Sequence, residues 1–295
     1  MTVAQPCPIC GYTSITTFPG VQDFSVSKEI FSLNTCSSCS FLFTTNPPDK
    51  SSIGKYYQSD AYISHTDGKK GFIEQVYQLV RKRTVAGKRK LVEDAVNKKR
   101  GTILDYGCGT GAFLHEMNSF GWLVKGIEPD AGARAKAEKT TSSTIFLPDQ
   151  LSVLESGLFD AVTMWHVLEH VHDLDWTIQQ VKRVLNPSGK FFIAVPNNDA
   201  FDANYYGKFW AAYDVPRHLY HFTPATMKVL MGKHGLNIIE TKPMWFDSFY
   251  VSMLSEKYKT GKMGYIAAFF VGMISNFKAL LQKGKCSSQI YIISK

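Results

Sequence analysis

A loop with three glycines follows the first strand of a strand–helix alternation, and this combination constrains the fold more than any other feature of the sequence. Residues 102–105 are typical of a buried strand, residues 105–111 read Asp-Tyr-Gly-Cys-Gly-Thr-Gly, and a helix is predicted from about Ala112. Further strands are predicted at 122–127, 159–164, 190–195, 236–240 and 289–293, with helices at 131–139 and 173–185. The alternation predicts a doubly wound α/β domain whose mostly parallel sheet carries helices on both faces.

The length of the chain bounds its domain organisation. With 295 residues, 44% of them apolar, it can form one large α/β domain and a small additional module. We predict the module at residues 1–45, a basic helical linker at 46–100 and the large domain at 101–295. The N terminus shows no basic segment followed by an apolar stretch, so we expect no signal peptide and a cytoplasmic location.

The glycine loop is compatible with two classes of ligand. Gly107, Gly109 and Ala112 fit the dinucleotide pattern GxGxxG/A, which by itself is a weak signal. The carboxylate of Asp105 would repel a pyrophosphate, whereas it would attract the ammonium and sulfonium groups of S-adenosylmethionine. Asp105 therefore favours the sulfonium cofactor. A turn without a ligand is the remaining alternative, but three glycines would then lose backbone entropy on folding without need.

Two acids lie where a nucleoside would be held. Glu128 ends the second predicted strand, roughly 20 residues past the loop, where an acid can accept both ribose hydroxyls. Asp149 precedes the next strand and can accept from an adenine amino group. The alternatives are a helix-start acid at Glu128 and a turn or capping aspartate at Asp149.

The loop 105–111, Glu128, Asp149 and the segment 159–171 together resemble the Rossmann-like S-adenosylmethionine methyltransferases. The resemblance covers about residues 100–200 well and the rest more loosely. It implies a seven-stranded sheet whose last strand is antiparallel, with the methionine end of the cofactor at the glycine loop. The cofactor contacts that we expect are Asp105, Tyr106, Gly107, Gly109, Gly111, Glu128, Pro129, Asp149, Trp165 and His166.

A segment with two histidines and an acid follows the strand at 159–164. His166, Glu169 and His170 would share one face of a helix, where they could hold a metal or supply a general base. The segment is similar to one in the ubiquinone-pathway O-methyltransferases, which reads Glu-x-x-Glu-His and can bind a divalent cation. In this chain His166 replaces the first Glu, which makes the set less suited to a hard cation. The alternative is a polar cluster that lines the pocket without chemistry.

The loop at 213–224 is rich in side chains that bind or catalyse. We predict that Tyr213, Asp214 and Arg217 bind substrate, with Arg217 clamping a carboxylate or phosphate. His218 or His221 could deprotonate a hydroxyl nucleophile, which methyl transfer to a neutral hydroxyl requires. The alternative is a packed lid whose polar groups are hydrogen-bonded to one another.

Four of the six cysteines form two CxxC pairs, Cys7 with Cys10 and Cys36 with Cys39. In a reducing compartment such pairs are metal ligands rather than disulfides, and four thiolates complete a closed tetrahedral zinc site. A closed site leaves no open coordination position, so we predict a structural zinc.

Two further segments of the sequence could contact a binding partner. The stretch 69–100, from Lys69 to Arg100, holds 11 Lys or Arg and three acids; it could meet RNA, anionic lipid or an acidic substrate, or be a solvated helix face. The apolar run 263–274 is too short to cross a bilayer and is expected to be a packed helix, with contact to membrane or an apolar substrate as the alternative.

Three functions follow from these features. The favoured one is O- or C-methylation of a small molecule. The second is methylation of RNA, in which the basic stretch would contact phosphates. The third is a zinc-ribbon binding protein without catalysis.

Overall fold

Two sheets organise the computed structural model, which describes residues 6–58 and 72–295. The strands are β1 (Ile15–Gln22), β2 (Ile30–Cys36), β3 (Leu42–Thr44), β4 (Thr102–Tyr106), β5 (Leu123–Ile127), β6 (Ile145–Phe146), β7 (Phe159–Trp165), β8 (Leu185–Pro196), β9 (Tyr220–His221), β10 (Asn237–Pro243) and β11 (Ser288–Ser294). The α-helices are α1 (Phe72–Val96), α2 (Ala112–Ser119), α3 (Ala131–Thr141), α4 (Leu174–Val184), α5 (Phe201–Tyr206), α6 (Pro224–Lys233), α7 (Asp247–Thr260) and α8 (Tyr265–Leu281).

The larger sheet has seven strands in the order β10-β11-β8-β7-β4-β5-β6. Neighbours from β8 to β6 are parallel, and β11 is antiparallel to both β8 and β10. The predicted seven-stranded sheet with an antiparallel last strand is therefore confirmed. The strand order changes direction at β4, because β5 lies on one side of it and β7 on the other, and ligands of open α/β sheets bind outside the carboxyl ends of strands at such a point.

Helices cover both faces of the sheet, which explains the composition of its central strands. Every residue of β7 except the last is buried, and the same holds for β11. Strands buried on both faces are continuous apolar runs rather than alternating ones. The second central strand, β8, begins five residues earlier than the predicted strand at 190–195, because Leu185 already pairs with Phe159 before the register shifts.

The smaller sheet has the order β1-β2-β3-β9, and its last strand comes from the loop after β8. Leu42 pairs with His221 and Phe43 with Tyr220, so the N-terminal module is joined to the large domain by strand pairing. The predicted linker also contributes to the large domain: Val92 of α1 is fully buried in a core shared with α2 and β4. Residues 59–71 lie outside the described ranges.

In the two described ranges, no helix combines the length and the apolar character that crossing a bilayer requires.

Candidate functional site

The glycine loop between β4 and α2 has the backbone that only glycines adopt easily. Gly107, Gly109 and Gly111 have φ values of +76°, +54° and +81°. A Cβ at Gly107 would lie 2.4 Å from Val167, and one at Gly111 would lie 2.9 Å from the Cα of Ala137. A Cβ at Gly109 would meet no described atom within 4 Å. The outer glycines are thus required for packing, whereas the middle one presents bare backbone to open space.

Glu128 follows β5 and ties the loop to the neighbouring strand. Its Oε2 accepts a hydrogen bond from the backbone N–H of Gly109 at 2.9 Å, and its Oε1 accepts one from Asp130 N–H at 2.9 Å. Burial raises the pKa of this carboxyl, while the two N–H donors lower it. Each carboxylate oxygen has capacity for a further donor, so Glu128 is oriented toward the loop and can still accept hydroxyl groups there.

Asp105 lies at the end of β4 beneath the loop and is 3% exposed. Its Oδ1 accepts a hydrogen bond from the hydroxyl of Thr163 on β7 at 2.6 Å. Burial raises the pKa of Asp105 to about 7, against the opposing effects of Thr163 and the ammonium of Lys88. A bound cation stabilises the charged form of such a buried carboxyl, because the cation compensates for the water that burial removed.

His166 stands immediately after β7 with φ +58° and lies between two carboxylates. Its Nδ1 is 3.4 Å from Oε1 of Glu169, and its Nε2 is 3.1 Å from Oδ2 of Asp247. Burial alone would lower the pKa of His166, but these two acids raise it to about 10. An imidazolium cannot accept a proton, so this geometry does not favour the general-base role of His166, which stays a prediction; the ring lies where it can hold Glu169 and Asp247.

Three residues near His166 or His170 carry no signal in the sequence that relates them to this site. Lys88 of α1 places its Nζ over the ring of Trp165 at 4.3 Å, and burial lowers its pKa. Asp247 begins α7, and Tyr57 donates to or accepts from Nδ1 of His170 at 3.0 Å. No spacing in the sequence could reveal them, because they come from segments far from residues 159–171.

Glu169, His170 and His218 form a cluster in which only His170 is partly exposed, and their possible ligand atoms lie within 4.8 Å of one another. The one-face arrangement expected if residues 166–170 were helical is not formed, because only Leu168–His170 adopt a short 3-10 turn. Apart from the 3.4 Å contact with His166, neither carboxylate oxygen of Glu169 has a polar partner within the described residues, and burial lowers the pKa of His170 to about 4. His170 is therefore neutral at physiological pH. One carboxylate with two imidazoles would suit zinc or iron better than magnesium.

Arg217 is 2% exposed, and acceptors from three segments surround its guanidinium. Its Nε and Nη2 donate to the two carboxylate oxygens of Asp214 at 3.0 and 2.7 Å. The same Nη2 donates to Asp23 at 2.9 Å, and Nη1 donates to the carbonyl oxygen of Tyr56 at 2.7 Å. These contacts join the N-terminal module to the loop and use the donors of Arg217 within the protein, so substrate binding by Arg217 and Asp214 is not favoured and stays a prediction.

Two more residues of this loop are packed inward. The ring of Tyr213 contacts the rings of Trp210 and His221 edge-on, and Tyr213 is 5% exposed. His221 lies 3.4 Å from the hydroxyl of Thr44, and burial lowers its pKa to about 3. His218 is held by the carbonyl oxygen of Ala212 at 2.8 Å. The packed-lid alternative describes this loop better than a substrate pocket.

The other predicted cofactor contacts line the carboxyl edge of the sheet. Tyr106 is buried at the end of β4, and Pro129 is exposed just after Glu128. Asp149 is exposed in the 3-10 turn Pro148–Val153. Trp165 is half-buried, and its indole N–H makes no hydrogen bond within the described ranges. Their contacts with a cofactor stay predictions.

The four cysteines of the N-terminal module converge as the sequence analysis expects. Sγ of Cys7 is 3.6 Å from Sγ of Cys39, and Sγ of Cys10 is 3.5 Å from Sγ of Cys36. All four sulfurs lie within 4.8 Å of one another. The β1–β2 hairpin closes the long interval between the two pairs, since Ile15 pairs with Cys36. The distances exceed a disulfide of about 2.05 Å and approach the roughly 3.8 Å edge of a tetrahedron with 2.3 Å zinc–sulfur bonds.

Comparison with known proteins agrees with this geometry. Residues 76–241, more than half of the chain, match a methyltransferase domain family, and the chain belongs to that family. A ubiquinone biosynthesis O-methyltransferase of Xanthomonas oryzae is 32% identical over 158 residues, which cover 49% of this chain and 66% of that protein. The chain thus spans slightly less than two thirds of the length of this relative.

Two solved structures share the fold. The magnesium protoporphyrin IX methyltransferase of Synechocystis PCC 6803, with SAH bound, has a TM-score of 0.55 and 14% identity, covering 84% of this chain and all of that one. The geranyl diphosphate C-methyltransferase of Streptomyces coelicolor has a TM-score of 0.51 and 13% identity, covering 78% of this chain and 86% of that one. At these identities the comparison supports the fold.

Proposed function

We propose that this protein transfers a methyl group from S-adenosylmethionine to an oxygen or carbon of a small molecule. The observation that carries the proposal is the geometry of the glycine loop, in a chain that belongs to a methyltransferase domain family. The backbone is bare at Gly109, the buried carboxyl of Asp105 lies below the loop, and the carboxylate of Glu128 lies beside it. The cofactor supplies an electrophilic methyl group when bound. Methyl transfer then needs mainly proximity and alignment from the protein.

The residues at the loop fit the parts of this cofactor by their charge and donor capacity. Asp105 would attract its positive methionine end, and Glu128 would accept from its ribose hydroxyls. Asp149, exposed at the edge of the sheet, would accept from the adenine amino group. A pyrophosphate would instead meet two carboxylates, so a dinucleotide fits the same loop poorly.

His170 is the side chain that we assign as general base if the acceptor is a hydroxyl. Its lowered pKa keeps it neutral, and it is partly exposed, unlike His221. Its Nδ1 lies 3.0 Å from the carbonyl oxygen of Arg217, which favours a proton on Nδ1 and a free electron pair on Nε2. Glu169, His170 and His218 could alternatively hold a cation that lowers the pKa of the acceptor hydroxyl.

A small acceptor is favoured over RNA because part of the described basic stretch already pairs with acids of the protein. Arg89 is buried and pairs with Glu93 and Glu116 at 2.7 and 3.0 Å. Lys98 pairs with Asp160 at 2.6 Å. Paired cations contribute little to phosphate binding.

Zinc bound by the four cysteines is the second part of the proposal. The tetrahedral spacing of the sulfurs supports it, and a closed thiolate site suits the reducing cytoplasm that we propose as its location. Metal analysis should find one zinc per chain, and Cys36→Ser/Cys39→Ser should lose it while Cys108→Ala retains it. Full zinc in the double variant would contradict this assignment.

Calorimetric titration tests the cofactor. We expect S-adenosylmethionine and S-adenosylhomocysteine to bind and NAD to give no heat. Binding of NAD alone would refute the proposal, and binding of neither would favour a zinc-ribbon binding protein without catalysis.

Transfer of labelled methyl groups then tests the acceptor. Catechol serves as a small hydroxyl acceptor and ribosomal RNA as the macromolecular one. Labelling of RNA that weakens steeply with salt, without labelling of catechol, would favour the RNA alternative.

A further inference from the structure

The C-terminal helix α8 has its large apolar side chains on the outside. The exposed residues follow the spacing of one helix face and are 40 to 77% exposed: Ile266, Phe269, Phe270, Met273, Ile274, Phe277, Leu280 and Leu281. We call them the outer face of α8. Monomeric soluble proteins rarely expose a contiguous apolar patch as large as several such side chains form together. Such a patch marks a surface that binds something.

The packing of the opposite face of α8 explains why the large side chains lie on the outside. The residues that it buries are small: Ala268, Gly272, Ser275 and Ala279, with Val271 at the edge. A Cβ at Gly272 would lie only 3.2 Å from the backbone of Phe249 on α7. The inward face is therefore fitted closely to α7, and rotation of α8 to bury the large side chains would bring them into that backbone.

The surroundings of the outer face are basic. Residues 257–285 contain six lysines and neither Asp nor Glu. Lys257, Lys262 and Lys283 are exposed, and none of them forms an ion pair within the described ranges. These three lysines stand before and after α8 in the chain, whereas Lys278 lies within the helix and Lys285 pairs with Asp199 at 2.5 Å, so three exposed positive charges flank the apolar stripe in the sequence.

Aromatic side chains extend the surface toward the candidate site. Trp245, Phe246 and Tyr250 are 37 to 66% exposed at the start of α7. Asn276 of α8 donates to the carbonyl oxygen of Trp245 at 2.8 Å, which places this segment beside α8. Asp247, which contacts His166, lies in the same segment. The surface therefore adjoins the candidate site.

We propose that the outer face of α8 docks onto an anionic lipid bilayer, with the helix in the plane of the headgroups and the lysines on acidic lipids. An apolar face flanked by Lys and by Trp and Tyr is the composition of helices that lie in that interface. Charge decides against a second copy of this chain, because a symmetric dimer through α8 would bring the same lysines together. An acidic lipid surface neutralises them.

Sedimentation of the full chain with vesicles tests the proposal without any methyl transfer. We expect binding to vesicles of equimolar phosphatidylcholine and phosphatidylglycerol, about tenfold or more weaker binding to pure phosphatidylcholine, and a loss of affinity as salt increases.

Two variants separate the apolar and charged contributions. Ile266→Gln/Phe277→Gln/Leu280→Gln and Lys257→Glu/Lys262→Glu/Lys283→Glu should each weaken vesicle binding about tenfold or more. Matched controls are Leu123→Gln/Val153→Gln, whose side chains are each 72% exposed elsewhere, and Lys136→Glu/Lys139→Glu/Lys228→Glu on other helices. The controls should bind like the unaltered chain. Because the altered side chains are exposed, the thermal unfolding midpoint should stay unchanged.

Three results would overturn the proposal. The unaltered chain could fail to sediment with anionic vesicles, or the outer-face variant could bind them as tightly as its control. Sedimentation velocity without lipid could show a dimer that the outer-face variant dissociates, together with no vesicle binding, which would assign the surface to a second copy. Since none of these readouts involves the cofactor, failure of the proposed methyl transfer would leave the docking result unaffected.

Discussion

Glu128 and Arg217 are both buried charged residues that fix a loop, yet they differ in what their environment leaves available. Glu128 accepts two backbone N–H groups beside open space at Gly109 and has further acceptor capacity. Arg217 donates to Asp23, to Asp214 and to the carbonyl oxygen of Tyr56. Charge and position in a loop therefore do not by themselves define a binding residue. What matters is whether hydrogen-bonding capacity remains and faces an open volume.

The same contrast separates the electrostatics of the two regions. Burial raises the pKa of Asp105 to about 7 against the opposing effect of Lys88, and within the described residues no cation lies close enough to form an ion pair with this carboxyl. Hydrogen bonds with Arg217 lower the pKa of Asp23 despite its burial. Asp105 is thus an acid that a cationic ligand would stabilise, whereas Asp23 already has its cation.

Arg217→Ala tests the structural side of this comparison and should have the largest effect. It leaves Asp23 and Asp214 without their buried cation, so we expect the free energy of unfolding to fall by about 3–5 kcal/mol. Denaturant unfolding measures this change in free energy, with Arg217→Lys as a control that keeps the charge but loses the paired hydrogen bonds of the guanidinium to Asp214. Affinity of the folded variant for S-adenosylmethionine should be unchanged. A loss below about 1 kcal/mol, or a selective loss of affinity, would contradict a structural role for Arg217.

Asp105→Asn tests the functional side. The amide keeps the acceptor for Thr163 but loses the charge, so affinity for S-adenosylmethionine should fall by about 100-fold in calorimetry. Stability should not fall, because a buried carboxyl without a strong cationic partner has been replaced. Unchanged affinity would remove Asp105 from the cofactor site.

Glu128→Gln should have a smaller effect, about a tenfold loss of affinity. The amide nitrogen is a donor and cannot accept from both Gly109 and Asp130, so one of these contacts is lost while the side chain keeps its size. The exposed Glu155→Gln is the matched control. Equal affinities of the two variants would show that Glu128 only shapes the loop.

The pH dependence of cofactor binding should give the smallest effect. As the pH falls from 8 to 6, Asp105 takes up a proton near its pKa of about 7 and attracts the cation less. We expect affinity to drop by several-fold, up to about tenfold, and to be restored on return to pH 8. The profile should be flat over this range in Asp105→Asn; an equally steep profile in that variant would assign the titration to another group.

Much of the fold could be predicted because its signals are local. Residues 102–111 encode a buried strand and a turn that needs positive φ, and the structure has β4 there, followed by the loop with three left-handed glycines. The two CxxC pairs likewise predicted a four-sulfur cluster that the structure brings together. Lys88, Asp247 and Tyr57 could not be predicted as neighbours of the site, because no periodicity relates them to residues 159–171.

The strand–helix alternation around residues 102–195, the glycine loop with its acids and the four-cysteine set could be read from the sequence, since each depends on hydrophobic periodicity or on residues with special backbone and ligand chemistry. Three features emerge only from tertiary packing: Arg217 bonds to Asp23, 194 positions away, β9 completes the N-terminal sheet, and α8 turns its large side chains outward. These outcomes depend on which distant surfaces fit together. A close fit between the small residues of α8 and the backbone of α7 is a property of two packed helices, and neither helix alone encodes it.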